Sequence, residues 1–190
     1  MATPQFWADP TTEPKRAYRW LLRLASATEI PSWVITKVSQ PNFEVSEQEH
    51  QFINHKFYYP GRVTWSDVSF TLVDPVTPDA ADQFQKLLAR SGYKFPNDGN
   101  LDNVTDTPSK ARSVNALGKI ELVLYAPDPR RTADSNIDSA ARGREIGTWK
   151  LTNAWVKSIT HSELSYESED LVNTEVTLRY DWAQYKKGAR

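Results

Sequence analysis

Apolar and polar residues alternate with a period of two through much of this sequence. The alternation is clearest in residues 18–24, 63–72, 119–124 and 172–182. Because successive side chains of a β-strand point to opposite faces, this pattern is typical of strands with one buried face. The phase reverses at Ser66–Asp67, which predicts a bulge or bend between two strand segments. The chain is therefore predicted to be mainly β, with about six or seven strands.

Residues 43–59 show a different pattern, in which two alternating segments flank a polar one. Apolar side chains alternate in residues 43–45 and again in residues 53–59, whereas residues 46–51 read SEQEHQ and are polar throughout. Two strands joined by a polar tip would fit this pattern, and so would one long strand with an exposed middle. The residues Pro60–Gly61 then predict a turn.

One amphipathic helix is predicted between Thr77, a suitable N-cap, and Gly92, which ends it. Pro78 suits the first helical position. The apolar side chains recur with helical spacing, at Ala80, Phe84, Leu87 and Leu88. A single apolar stripe of this kind would cover one face or one end of the strands. The predicted fold is a small β-barrel or sandwich with one helix and long loops.

A chain of 190 residues is expected to form one domain. Residues 1–16 are rich in proline and are interpreted as an N-terminal arm. The domain would cover residues 17–182, and the polar segments 94–116 and 127–147 would be long loops within it. Residues 183–190, which end in basic side chains, are predicted to be a C-terminal tail.

Charge and cysteine content exclude several classes of protein. The chain has 23 basic and 24 acidic residues, for a formal net charge of −1. Proteins that bind nucleic acid tightly usually carry a basic excess, because neutralisation of phosphate dominates that affinity. There is no cysteine, so a disulfide framework and a thiolate metal site are excluded. No apolar run is as long as a membrane span, and the N-terminus lacks the layout of a signal peptide, so we expect a soluble, non-secreted chain.

The residues of known catalytic and metal sites are also missing at the required spacings. His50 and His55 are separated by an odd number of positions, so on one regular strand they would point to opposite faces. No Gly-rich phosphate loop, nucleophile elbow or HExxH helix occurs. We therefore predict no enzyme activity, no cofactor and no metal. The main alternative from another class is a β-barrel that binds a small ligand, which would be a stable monomer with an apolar cavity.

Two blocks of sequence resemble the tail tube proteins of contractile-tailed bacteriophages. The first is RVTWSDVSFTLVDP at residues 62–75, followed directly by the predicted helix. The second, residues 149–182, begins with WKLTNAWV and closes with EVTLRYDW. That family pairs a "T-aromatic-x-D" strand and a helix with a similar closing strand. The two blocks occur in the family's order.

This resemblance implies a structural role without an active site. Members of the family, which is related to the tubes of type VI secretion and R-type pyocins, form hexameric rings that stack into a tube inside a sheath. The lumen of the tube conducts double-stranded DNA without binding it tightly. The implied partners are further copies of this chain and the sheath and baseplate proteins, and the implied location is a phage tail assembled in the cytoplasm of a host bacterium. The arm, the two long loops and the basic tail depart from compact members, so a baseplate-proximal tube initiator or hub component is the alternative within the family.

Residues for self-assembly are predicted from exposed aromatic and polar positions on this framework. We expect residues 43–59 and 149–159 to build a sheet that faces the lumen, and the arm and loops to contact the next ring. The predicted interface residues are Phe6, Trp7, Phe43, Glu44, Ser46, Gln48, Trp149, Lys150, Arg130 and Arg131.

Overall fold

A computed structural model describes residues 14–24, 30–95, 107–126, 143–167 and 169–188. Within these ranges the chain forms ten strands, two α-helices and one short 3-10 helix at Ser32–Val34. The strands are β1 (Trp20–Leu24), β2 (Ile35–Val38), β3 (Phe43–Phe52), β4 (His55–Trp65), β5 (Val68–Val73), β6 (Ile120–Ala126), β7 (Arg144–Thr152), β8 (Trp155–His161), β9 (Asn173–Arg179) and β10 (Trp182–Lys187). The helices are α1 (Ala80–Arg90) and α2 (Lys110–Leu117).

The strands form two four-stranded sheets and one separate hairpin. Sheet A has the order β1-β6-β7-β10, and sheet B has the order β2-β5-β9-β8. All neighbouring strands are antiparallel. Strands β3 and β4 pair only with each other among the described residues. The mainly β prediction is confirmed, and the architecture is a sandwich of two sheets.

The core lies between the two sheets, where the alternating strands bury one face each. Sheet A contributes Leu22, Ile120 and Leu122, and sheet B contributes Phe70 and Leu178, and all of these side chains are buried. In β5 every second residue is buried, as the alternation of its sequence predicts. Each fully buried side chain of this size contributes roughly 1.5–3 kcal/mol to folding, so these strands are the main source of stability.

Helix α1 begins later than predicted. Its N-cap is Asp79, whose side chain accepts a hydrogen bond from the Asp82 backbone N–H at 3.2 Å, and Thr77 and Pro78 lie outside it. The Ala80 N–H donates a hydrogen bond to Asp74 Oδ1 at 2.9 Å. Two carboxylates therefore accept hydrogen bonds from backbone N–H groups at this end of the helix. The predicted apolar stripe packs into the core except at one position. Ala80, Phe84 and Leu87 are buried, whereas Leu88 is 40% exposed.

Helix α2 lies in a segment that was predicted to be a loop. It runs from the N-cap Ser109 to Gly118, which has a φ of 73° and ends the helix. Only Ala116 and Leu117 of this helix are buried. An eight-residue helix with its apolar contacts confined to the last turn is too short to show a helical period, which is why the pattern missed it. No helix in the described ranges is long and apolar enough to cross a bilayer.

Several strand boundaries also differ from the prediction. Residues 149–159 are not one strand, because a turn at Asn153 (φ 54°) separates β7 in sheet A from β8 in sheet B. The expected lumen sheet made of residues 43–59 and 149–159 is therefore wrong, since these segments lie in three different sheets.

The predicted tail and one predicted loop contain strand residues. Residues 182–187 form β10, which pairs with β7. Strand β7 itself begins at Arg144, inside the predicted loop 127–147. Strand β10 lies at the edge of sheet A, where a strand can bury few side chains and still be held by backbone hydrogen bonds, so its sequence shows no clear alternation.

Candidate self-assembly interface

The hairpin of β3 and β4 projects from one end of sheet B. The pairing of β2 with β5 continues into it through two backbone hydrogen bonds, from the Ser39 N–H to the Ser69 carbonyl at 2.8 Å and from the Ser66 N–H to the Asn42 carbonyl at 2.9 Å. Beyond this point every hairpin residue except Trp65 is exposed. At about 3.3 Å per residue, the two strands extend roughly 30 Å from the sandwich.

The turn of the hairpin lies at its tip, not at Pro60–Gly61 as predicted. Phe52 pairs with His55, so the turn consists of Ile53 and Asn54, and Ile53 has a φ of 54°. A positive φ is uncommon for a β-branched residue. The polar residues 46–51, which the sequence pattern allows as a tip, form the middle of β3.

Gly61 lies in a β-bulge within β4. The pairing shifts between Val45 and Glu47, and the Arg62 N–H donates to Ser46 Oγ at 2.8 Å. A Cβ at position 61 would lie 2.9 Å from the Ser46 carbonyl oxygen and would overlap its Oγ. Glycine is therefore required here by the close approach of the two strands.

The bulge changes which side chains share a face of the hairpin. Directly opposed residues of an antiparallel pair lie on the same face, and side chains alternate along each strand. The Trp65 face carries Phe43, Val45, Glu47, Glu49, Gln51, Lys56, Tyr58, Pro60, Val63 and Trp65. The Tyr59 face carries Glu44, Gln48, His50, Phe52, His55, Phe57, Tyr59 and Thr64. Both faces thus present large apolar side chains to solvent.

These aromatic side chains are exposed to a degree that is unusual for their type. Phe57 is 49% exposed, Tyr58 57% and Tyr59 58%. The outer backbone edges of β3 and β4 also have no strand partner in the described part of the chain. An isolated two-stranded hairpin is marginally stable in water, and contiguous exposed apolar groups usually mark an interaction site. The hairpin therefore has the properties of a surface that is completed by another molecule.

The base of the hairpin, in contrast, is fixed to the sandwich. The ring of Trp65 lies 5.3 Å from that of Phe43 and 6.1 Å from that of the buried Tyr180. Arg179 Nη1 of β9 donates to the Trp65 carbonyl at 3.0 Å and to Asp67 Oδ1 at 2.8 Å. These contacts tie the last residue of β4 to the neighbouring sheet, so the hairpin leaves the sandwich in a defined direction.

Asp67 is the centre of the charged cluster at this base. Lys157 Nζ lies 2.6 Å from its Oδ2, and Arg179 supplies the second cation. The hydrogen bond from Lys157, then that from Arg179, hold the pKa of Asp67 below its ordinary value of 3.8, against the opposing effect of desolvation. The carboxylate therefore stays ionised and paired at neutral pH.

The predicted interface residues fall into separate regions. Phe43, Glu44, Ser46 and Gln48 all lie on β3 of the hairpin. Trp149 and Lys150 lie on β7 of sheet A and are not part of it. The Trp149 ring packs against the core and lies 5.0 Å from the ring of Tyr185, while Lys150 is exposed on the opposite face of the sheet. The remaining predicted residues, Phe6, Trp7, Arg130 and Arg131, lie outside the described residues.

Sequence reasoning missed the aromatic residues of β4 as an exposed set. It interpreted Phe57 and Tyr59 as alternating positions of an ordinary half-buried strand. The signal that could have identified them is the run Phe57-Tyr58-Tyr59, because consecutive large side chains on a strand must occupy both of its faces. One core can bury only one of those faces.

The two histidines of the hairpin lie on the same face, which corrects the prediction of opposite faces. His50 is opposite Phe57, and His55 is opposite Phe52, because the turn separates them onto different strands. In the described ranges, no group of three or more His, Cys, Asp or Glu side chains is arranged to hold a metal ion.

Three solved structures of contractile systems share this fold. A chain of the baseplate of the anti-feeding prophage has a TM-score of 0.58 at 12% identity, covering 93% of this chain and 97% of that chain. A chain of the sheath/tube terminator of PVC, an extracellular contractile injection system, has a TM-score of 0.57 at 18% identity, covering 93% and 99%. A chain of the sheath-tube complex of PVC in its extended state has a TM-score of 0.56 at 14% identity, covering 93% and 94%.

The sequence itself matches no family model and no curated protein. The likeness to these solved structures confirms the resemblance to tail tube proteins at the level of the fold. At these identities the likeness establishes the architecture, and it extends over nearly the whole length of each compared chain.

Proposed function

We propose that this protein is a structural subunit of the tail tube of a contractile phage, in which copies form hexameric rings that stack and conduct double-stranded DNA through their lumen. The observation that carries this proposal is the exposed hairpin of β3 and β4, which is rigidly anchored at its base and apolar on both faces. Support also comes from the shared fold with a chain of an extended sheath-tube complex.

The hairpin would act by burying its side chains against neighbouring copies. Each large apolar side chain that becomes fully buried contributes roughly 1.5–3 kcal/mol, so Phe57, Tyr59 and Phe52 on the Tyr59 face would together supply substantial association energy. Such a contact joins two different surfaces of the same chain. A heterologous contact of this kind generates a ring when the rotation closes, and stacking of rings extends it into a tube.

The free sheet edges are also compatible with ring formation. Each sheet has an even number of antiparallel strands, so its two edge strands run in opposite directions. The β8 edge of one copy could therefore continue antiparallel into the β2 edge of the next copy. Pairing between copies would remove unpaired edges that are otherwise prone to aggregation.

The proposed partners and location follow from this role. The partners would be further copies of this chain, a sheath and a baseplate, with DNA passing through without tight binding. The net charge of −1 is consistent with weak interaction with phosphate. The protein would act in the phage tail after assembly in the host cytoplasm. The predicted contacts of Phe6, Trp7, Arg130 and Arg131 belong to this proposal. We likewise propose that the chain is not an enzyme.

A second candidate is a tube terminator or a baseplate-proximal initiator of the same kind of tube. It is favoured by the fold likeness to a sheath/tube terminator chain and to a baseplate chain. The two candidates differ in what the purified protein would form. A main tube subunit polymerises into tubes of variable length, whereas a terminator or initiator stops at one ring until other tail proteins are added.

Electron microscopy of the purified protein, together with light scattering, tests the proposal. We expect rings or tubes for the natural chain. A variant in which residues 47–60 are replaced by a short turn should keep the sandwich and remain a monomer. A natural chain that stays a folded monomer at high concentration, with and without tail proteins, would contradict both candidates.

A further inference from the structure

The outer faces of the two sheets differ sharply in chemistry. In sheet B the residues that point away from the core are mostly serine and threonine. The register of the strands places them in two rows across the sheet, Ser39–Ser69–Thr177–Ser158 and Lys37–Thr71–Glu175–Thr160. We call this surface the hydroxyl face. It carries no aromatic side chain in either row.

The charges in the middle of the hydroxyl face balance one another. Lys37 and Glu175 lie on either side of Thr71 in the same row, and both are exposed. At the hairpin end of the sheet, the cations of Arg179 and Lys157 are paired with Asp67. The middle of the face is therefore polar, and its hydroxyls can form hydrogen bonds with water, but it has almost no net charge.

The middle of the hydroxyl face lies away from both helices, whereas its Ser158 end lines a cavity with residues of α1 and α2. Helix α1 is on the opposite side of sheet B, because Phe84 and Leu87 pack into the core cluster between the sheets. Helix α2 contributes Leu117 to the same cluster. No helix therefore blocks access to Thr71 and Thr177 from outside.

Sheet A presents a different outer face. One row of this face, Arg23–Glu121–Lys150–Gln184, carries three charged side chains. Val123 and Tyr125 also point away from the core, yet they are only 0% and 7% exposed. This face is therefore covered at its centre, and in the described part of the chain sheet B offers the more continuous open surface.

We propose that the hydroxyl face lines the bore of the assembled ring and is the surface along which double-stranded DNA passes. This inference rests on the proposed function and adds which surface meets the DNA. Serine and threonine hydroxyls exchange hydrogen bonds with water and phosphate without a net charge. Tight phosphate binding depends on cations and the release of counterions, so a neutral face of this kind lets a polyanion slide. Sheet B can also continue from copy to copy, because its edge strands are antiparallel.

Cysteine labelling tests the location of the face. The chain contains no cysteine, so a single introduced thiol is the only reactive one. Thr71→Cys places it on the hydroxyl face, and Gln184→Cys places it on the outer face of sheet A as a control. Tubes are treated with a small maleimide and with a maleimide attached to a large protein, and dissociated subunits are treated in the same way.

We expect Thr71→Cys tubes to react with the small reagent and to lose reaction with the large one, because a bulky reagent cannot enter the bore. Dissociated Thr71→Cys subunits should react with both reagents, and Gln184→Cys tubes should react with the large reagent, which shows that it reaches the outside. Reaction of Thr71→Cys tubes with the large reagent would place the face outside. Loss of reaction with the small reagent would place it in a contact between copies. Either result overturns the inference about the bore. The formation of tubes would still support the proposed function.

Added charge tests the passage of DNA. The Thr71→Lys/Thr177→Lys variant adds two cations per copy to the face, and Thr71→Ser/Thr177→Ser is the matched control. We expect natural and control tubes to release short DNA duplexes on sedimentation, and the lysine variant to retain them at low salt and lose them as salt rises. Retention by the natural tubes, or none by the lysine variant, would rule out DNA contact at this face. Absence of tubes from the natural chain would instead contradict the proposed function.

Discussion

Strands β4 and β5 follow each other in the chain but use their apolar side chains in opposite ways. In β5, Phe70 and Leu72 are at most 1% exposed, whereas Phe57 and Tyr59 of β4 are at least 49% exposed. Both strands contain alternating apolar residues, and only the two residues Ser66–Asp67 separate them. Strand β5 therefore finds its packing partners inside its own chain, whereas β4 leaves the same kind of side chain exposed to solvent.

The largest expected effect is on the β5 side of this comparison. Phe70→Ala should lower the free energy of unfolding by about 3–5 kcal/mol, because it removes a large buried side chain and leaves a cavity. Tyr59→Ala, the matched change in β4, should alter it by no more than about 0.5 kcal/mol. Denaturant unfolding of the monomer measures both. Equal losses would show that the hairpin aromatics are part of the monomer's own core.

The second effect concerns assembly and should appear only on the β4 side. Phe57→Asp/Tyr59→Asp places two charges on the Tyr59 face, so rings and tubes should be lost while the unfolding midpoint of the monomer stays the same. Gln51→Asp is the control for added charge, because Gln51 lies on the other face of the hairpin. Light scattering gives the size of the assemblies. If the double variant still forms rings, the Tyr59 face is not the contact surface.

A smaller effect is expected at Asp67, the joint between the two strands. The pKa of this carboxyl is lowered in the folded chain, mainly by the Lys157 hydrogen bond and then by Arg179. Its stabilising contribution is therefore complete above the ordinary pKa of 3.8 and is lost as pH falls through the lower folded value. Exposed and half-exposed ion pairs contribute about 0.2–1 kcal/mol each, so the total is modest.

Asp67→Asn should remove this pH dependence and loosen the direction of the hairpin. Thermal unfolding from pH 5 downward should show the natural chain losing its advantage over the variant as the carboxylate is protonated. At neutral pH, hydrogen exchange should be faster in β4 of the variant and unchanged in β9. A constant difference in stability across this pH range would contradict the assignment.

The smallest effect is expected for the ion pair on the hairpin itself. Lys56 Nζ lies 2.9 Å from Glu49 Oε1, and both side chains are at least 40% exposed. Glu49→Gln should change the free energy of unfolding by less than about 0.5 kcal/mol, because solvent screens such pairs. Chemical denaturation at low and high salt provides the measurement. A clear loss would indicate that the hairpin is stabilised within the monomer.

The sequence alone determined the elements whose pattern is local. Alternation identified the strands of the core, the reversal of phase at Ser66–Asp67 marked the boundary of β4 and β5, and the helical stripe located α1. Alternation and the helical stripe succeeded because side-chain periodicity is set by the backbone geometry of each element itself. The two resemblance blocks led to contractile systems, and solved chains of such systems share this fold.

Only the tertiary structure decided how the strands are distributed and which faces remain open. Alternation shows that a strand has an apolar face, but it does not show whether that face meets its own sheet or another copy. Residues 149–159 divide between the sheets at Asn153, and β10 is held by its ladder with β7. Phe57 and Tyr59 are exposed because β3 and β4 pair only with each other among the described residues. Pairing is a non-local choice, so it depends on the whole chain and not on any one segment.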